Sequence, residues 1–70
     1  MERVPVESSN IKSVGYDDIN RVLEVEFHHG GIYHYVDVPG ALFKEFLKAP
    51  SKGKFFYAFI KEKFSYKRIN

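Results

Sequence analysis

The chain has 70 residues, no cysteine and a formal net charge of +2, with 44% hydrophobic and 29% charged residues. These figures bound it to a single small domain spanning 1–70, exclude disulfides and thiolate zinc sites, and make a reducing, cytoplasmic compartment the expectation. The longest apolar run, Phe55 to Ile60, is far short of a membrane span, and Met1-Glu2-Arg3 leads into no signal-peptide core.

Val4-Pro5-Val6 reads as extended chain, because proline fixes its own φ and restricts the residue before it. Ile11 to Tyr16 reads as a first strand, ended by the turn-rich Asp17-Asp18-Ile19-Asn20. From Arg21 to Phe27 the pattern alternates, with Leu23, Val25 and Phe27 on one face of a second strand. His28-His29-Gly30-Gly31 then turns the chain into a third strand, Ile32 to Val38.

The register of this hairpin decides what it displays. A three-residue loop of His28, His29 and Gly30, with Gly30 in the bulge position, pairs Val25 with Tyr33 and Leu23 with Tyr35. Both tyrosines then share the core face, while Glu24 meets His34 and Glu26 meets Ile32 on the other face. A two-residue loop turns Tyr33 and Tyr35 outward, since a slip of one residue exchanges the faces. The glycine favours the first register.

After Val38 the period lengthens. Pro39 suits a first helical turn, and Leu42, Phe43, Phe46 and Leu47 form an apolar stripe, with Lys44 and Lys48 opposite. Pro50 ends this helix, and Ser51 is placed to cap a second, whose buried stripe is Phe55, Phe56, Phe59 and Ile60. The tail, 65–70, fits a short edge strand or frayed coil equally well. The expected fold is therefore α+β in the order β-β-β-α-α: a three-stranded antiparallel sheet with two helices packed on one face.

Taken in order, Val14-Gly15-Tyr16-Asp17, Leu23-x-Val25-x-Phe27, Gly30, Tyr33-x-Tyr35, Val38-Pro39 and Ser51-x-Gly53-x-Phe55-Phe56 resemble the KTSC domain. That domain is named for its place at the C-terminus of some lysyl-tRNA synthetases and also occurs alone in bacterial proteins. The resemblance runs from about Pro5 to Phe64. It implies an RNA-binding role and brings no synthetase activity, since so short a chain lacks the catalytic machinery. Tyr57 stands where the family pattern leads one to expect asparagine, so nothing that such an asparagine does carries over.

Charge divides along the chain. Residues 1–43 hold three basic and seven acidic side chains, a balance of −4, and residues 44–70 hold eight and two, a balance of +6. Such a division describes either an ordinary solvated surface or a basic end that meets an anionic partner. Ser51-Lys52-Gly53-Lys54 opens a helix with free N–H groups, which suits a phosphate, although an ordinary capped helix start explains it more simply. Lys54, Tyr57 and Lys61 share one helix edge, equally compatible with backbone tracking and with lysine stems flanking a buried face. Tyr33 and Tyr35, with Tyr66 from the tail, are candidates for stacking on bases; the favoured register makes the first two core aromatics instead.

Catalysis and metal binding find little support. His28 and His29 are adjacent and cannot readily aim at one ion, so no metal and no cofactor are expected. Glu24 with His34, or Ser8, Ser9 and Ser51 as nucleophiles, lack the spacing of a catalytic constellation. Two functions remain. The first is a non-catalytic accessory domain that contacts RNA (tRNA or another structured RNA) through Lys44, Lys48, Lys52, Lys54 and Lys61, with Tyr57 and Tyr66 stacking. The second is a protein-interaction module that docks through its acidic sheet face or a sheet edge.

Overall fold

Two glycines set the central hairpin. In the computed structural model, which describes residues 1–70, Gly30 and Gly31 have φ values of 106° and 97°, a region that side-chain-bearing residues rarely enter. The resulting loop pairs Leu23 with Tyr35, Glu24 with His34, Val25 with Tyr33 and Glu26 with Ile32. This is the register of the three-residue loop. Strands β3 (Val22–Phe27) and β4 (Ile32–Tyr35) thereby turn Leu23, Val25, Phe27, Tyr33 and Tyr35 to one face.

The sheet has five antiparallel strands in chain order, two more than the sequence pattern suggested. β1 (Arg3–Pro5) pairs with β2 (Ile11–Asp17), and β5 (Tyr66–Arg68) pairs with β4. Both additional strands are three residues long, too short to show a period of two, and Pro5 is tolerated because β1 lies at an edge. The tail is thus an edge strand, fastened further by Ile32 N–H to the Asn70 carbonyl at 3.1 Å and Val36 N–H to the Ser65 carbonyl at 3.0 Å. A bulge between Ile11 and Ser13 in β2 has Ile11 paired with Phe27 and Ser13 with Glu26. The extra residue, Lys12, lets Ile11 enter the core while Ser13 meets Glu26 on the opposite face.

Two short helices cover the apolar face. α1 (Gly40–Lys48) starts immediately after Pro39, whose backbone is extended, and stops before Pro50. α2 (Lys52–Phe59) is capped by Ser51, whose hydroxyl accepts from the Lys54 N–H at 3.2 Å. Its C-terminal turn ends with Glu62 at φ 65°, before Lys63. Tyr16 stacks on Phe43 of α1 with centroids 4.9 Å apart and donates to the Val38 carbonyl. Phe27 and Tyr35 meet Phe56 of α2 edge to face, at 5.5 and 5.4 Å. Phe46, Phe56 and Ile60 complete a core with Ile11, Val14, Leu23, Val25, Tyr35 and Val38. Leu47 and Phe59, expected in the buried stripes, are 38% and 54% exposed. Each lies one position beyond the narrow arc along which so short a helix touches the sheet.

The other sheet face is polar and internally paired. Arg3, Gly15, Glu24, His34 and Lys67 occupy one row across all five strands. A Cβ on Gly15 would lie 2.6 Å from the Glu2 carbonyl oxygen and 3.2 Å from the Arg3 side chain. Glycine therefore leaves the passage through which the Arg3 guanidinium reaches Glu24, Nε to Oε2 3.4 Å.

Because the core is small, single truncations weigh heavily against a total stability of a few kcal/mol. Phe46→Ala removes a fully buried ring and should lose about 3–5 kcal/mol in urea titration, unfolding much of the protein. Ile19→Ala, at a side chain 87% exposed, should change stability by less than about 0.5 kcal/mol.

Candidate functional site

The helices leave the β4–β5 end of the apolar face open. There Phe27, Tyr33, Tyr66, Tyr35 and Phe56 form a closed circuit of rings, each 5.4–5.9 Å from the next. Alternation places Tyr33 and Tyr35 inward on β4, and the antiparallel pairing sets Tyr66 beside Tyr35 and Arg68 beside Tyr33. Gly31 contributes twice, since a Cβ there would press on Tyr33 at 3.1 Å and on Arg68 at 3.4 Å. The circuit walls a cleft of about 400 Å³, rimmed by His29, Tyr57, Lys61 and Glu62. Its volume falls in the range of small-ligand sites.

Burial grades the rings by role. Tyr35 is 4% exposed and Phe56 3%, making them the floor; Tyr57 and Tyr66 are 56% and 60% exposed. Tyr33 is half-buried. The expectation that β4 carries core aromatics therefore holds for Tyr35, while Tyr33 faces both the core and the cleft. Two cations lie over exposed ring faces: Lys61 Nζ is 4.6 Å from the Tyr57 centroid and the Arg68 guanidinium 5.9 Å from that of Tyr33.

A second cleft of about 630 Å³, lined mostly by polar residues, lies at the start of α2, between Ser51, Lys52, Gly53 and Lys54 and the β1–β2 loop, Glu7 to Asn10. Gly53 brings the helix close to this loop: a Cβ there would lie 3.7 Å from Ser8 Oγ and 3.8 Å from Asn10 Nδ2. Tyr57 lines both clefts. Between them is a cavity of about 70 Å³ lined by Asn10, Gly53, Phe27, His29, Phe56 and Tyr57. The three hollows share Tyr57 and form a grooved row along α2, from the Ser51 cap to the ring circuit.

The sequence candidates sort accordingly. Ser51, Gly53, Lys54, Tyr57 and Lys61 line the groove, together with Tyr33, Tyr35 and Tyr66. Lys52 lines it too, but its Nζ donates to the Ala49 carbonyl at 2.6 Å, tying it to the end of α1. Lys44 and Lys48 on α1 line none of these cavities. His29, Phe27 and Glu62 were not anticipated; only the fold brings the hairpin loop beside the end of α2.

The sheet face opposite the helices is not the free acidic surface the sequence suggested. Glu24 contacts Arg3 and His34 Nε2, the latter at 2.8 Å, and Glu26 accepts from Ser13 Oγ at 2.9 Å with Arg3 Nη1 4.0 Å away. Neither carboxylate is left without a partner. The Glu24–His34 pair lines no cavity, and Ser8 and Ser51 spend their oxygens on backbone N–H groups. No three His, Asp or Glu side chains gather closely enough to share a metal ion, and no helix is long and apolar enough to cross a membrane.

Burial, with smaller contributions from Tyr66, Tyr33 and Tyr57, pushes the Tyr35 phenol up to about 12. Its neutral form is thus favoured by folding. That contribution is fully present below the ordinary tyrosine value of 10 and is lost as pH rises through about 12. Alkaline titration followed by tyrosine absorbance should show one phenol ionising last, together with loss of folded signal. Tyr35→Phe should remove that step.

Comparison with known proteins places these features in a family. The profile of the KTSC domain matches residues 7–64. A lysine–tRNA ligase of Trichormus variabilis is 41% identical over 64 residues, covering 91% of this chain and 11% of that enzyme. An uncharacterized protein of Stutzerimonas stutzeri is 39% identical over 71 aligned positions, with both chains covered in full. The crystal structure of a KTSC domain protein from Yersinia pestis is 46% identical, with a TM-score of 0.97 over 99% of this chain and 97% of that one. The chain thus corresponds to a small part of the ligases and to the whole of the standalone relative. The matched span includes the hairpin glycines, the paired tyrosines of β4 and the Ser51-capped helix, and the chain belongs to the KTSC domain family.

Proposed function

We propose that this protein is a non-catalytic accessory domain that binds RNA with low sequence specificity, through the groove along α2. The observation that carries this reading is the grooved row of hollows that share Tyr57. It offers backbone N–H groups, Ser51 and Lys54 at one end and stackable rings with Lys61 at the other. Phosphates are held by cations and helix N–H groups, and bases by aromatic faces, without reading base edges. Lys44, Lys48 and Lys52, on the helix side of the sheet, add positive potential and steer an anionic chain toward the groove.

The relatives support the same reading. Some are lysine–tRNA ligases, in which a domain of this kind would add a contact to tRNA or another structured RNA. Such a partner is met in the cytoplasm.

A protein-interaction module is the second reading, favoured by an exposed apolar patch. A shallow groove of about 430 Å³ beside α2 and the connection before it is lined by Ala49, Pro50, Phe55, Ala58 and Phe59, together with Ser51 and Lys54. Docking there would bury apolar surface and depend little on salt, whereas phosphate binding weakens steeply as counterions return.

Salt titration of RNA affinity separates the two. Lys54→Ala with Lys61→Ala, both at exposed positions, should reduce the slope of log affinity against log salt by about 1.5–2 units in total while leaving the melting temperature unchanged. Glu24→Lys should leave RNA affinity almost unaltered but destabilise the sheet, since it opposes Arg3. If no RNA shifts amides of residues 44–61 at low salt, this function is wrong.

A further inference from the structure

We propose that the ring-walled cleft takes one unpaired nucleobase, so that the ligand is single-stranded RNA, or a loop or end of a folded one, rather than a duplex. This rests on the RNA-binding reading above and names its substrate class. The cleft is a pocket with a floor, not a flat platform. Tyr35 and Phe56 lie buried at its base, Tyr33 and Phe27 form a wall, and Tyr57 and Tyr66, both lining it, are more than half exposed. A flat aromatic ligand can enter such a site only if at least one of its faces is free. In a duplex both faces of every base are covered by the neighbouring pairs, and the A-form major groove is closed to side chains.

The free protein already holds cations where the stack would form. Lys61 Nζ lies over Tyr57 and the Arg68 guanidinium over Tyr33. A base that enters takes the ring face from the ammonium. Lys61, at the rim, then turns to the phosphate that arrives with the base. One cation–π contact is exchanged for a stack and an ion pair. Glu62 is the one carboxylate lining this cleft. It repels phosphate from the interior, so the strand's backbone runs outside, along Lys61 and back past Tyr57 toward Lys54 and the Ser51 cap. The hydroxyls of Tyr33 and Tyr66 and the ring of His29 offer polar contacts that any base can use, in keeping with low sequence preference.

The test is an amide NMR titration of the whole protein at low salt with four probes. These are a short oligoadenylate, an abasic strand with the same number of phosphates, an RNA duplex of the same length, and tetramethylammonium. The oligoadenylate should shift Tyr33, Tyr57, Lys61 and Tyr66 and quench tyrosine fluorescence. The abasic strand should bind about tenfold more weakly, the factor expected from losing one stacked base. The duplex should leave the cleft amides in place. Tyr57→Leu and Tyr66→Leu should each reduce oligoadenylate affinity about tenfold with unchanged melting temperature, and Tyr57→Phe should restore it, because stacking needs the ring and not the hydroxyl.

Equal binding of the abasic strand, with shifts confined to residues 51–54, would overturn the inserted base and leave RNA binding standing. A duplex that moves the cleft amides as strongly as the single strand would do the same. If tetramethylammonium moves those amides and no strand does, the cleft is a cage for organic cations. Absence of binding by every nucleic acid overturns the RNA-binding reading and this inference together.

Discussion

The pairing of β3 with β4 is the constraint on which the rest of the structure depends. Gly30 and Gly31 both hold positive φ, and between them they fix a three-residue loop. A slip of one residue in β4 would send Tyr33 and Tyr35 to the charged face and bring His34 under the helices, leaving Glu24 on the opposite face without its histidine. The fold admits no intermediate arrangement. In the observed register, β4 gives the core Tyr35, gives the cleft Tyr33, and gives the opposite face the histidine that meets Glu24.

The two faces of the sheet solve different problems. On the helix side, the core fills from Ile11 to Ile60 but does not extend across β5, because two helices of nine and eight residues are too short to roof five strands. The uncovered remainder is aromatic rather than aliphatic, and so remains partly wettable through its hydroxyls. On the other side, acidic residues find partners from within: Arg3 is drawn across Gly15 to Glu24, and His34 shares a hydrogen bond with the same carboxylate. The first half of the chain is acidic in composition, yet it offers few free carboxylates on its sheet face. Charge counted along a sequence is a poor guide to charge presented at a surface.

What could be read from sequence followed local rules. The hairpin register was readable because alternation on β3 and the loop glycines agree on a single solution. The helices were readable from Pro39, Pro50, the Ser51 cap and the paired phenylalanines. Strands of three residues carry no such pattern: β1 and β5 exist only because β2 and β4 offer edges to pair with, a long-range fact. The bulge at Lys12 was hidden for the same reason. For the site, Tyr57 and Lys61 were visible as one helix edge, and the tyrosines of β4 as a pair, but nothing local joined them. That needed the tail to fold back and set Tyr66 and Arg68 beside Tyr35 and Tyr33. His29 and Glu62 were missed because each lies in a turn, and the two turns meet only in three dimensions.

The last strand has a thermodynamic consequence. β5 is three residues long, all exposed, and is held on one side only, by β4. Segments of this kind open by themselves, at a free energy well below that of global unfolding. Each time β5 lifts, the cleft loses Tyr66 and Arg68, so only molecules with the seam closed are competent to bind. Apparent affinity is then the intrinsic affinity scaled by the closed fraction. A substitution on the outer edge of β5, touching no ligand, would act as a gain control on the site.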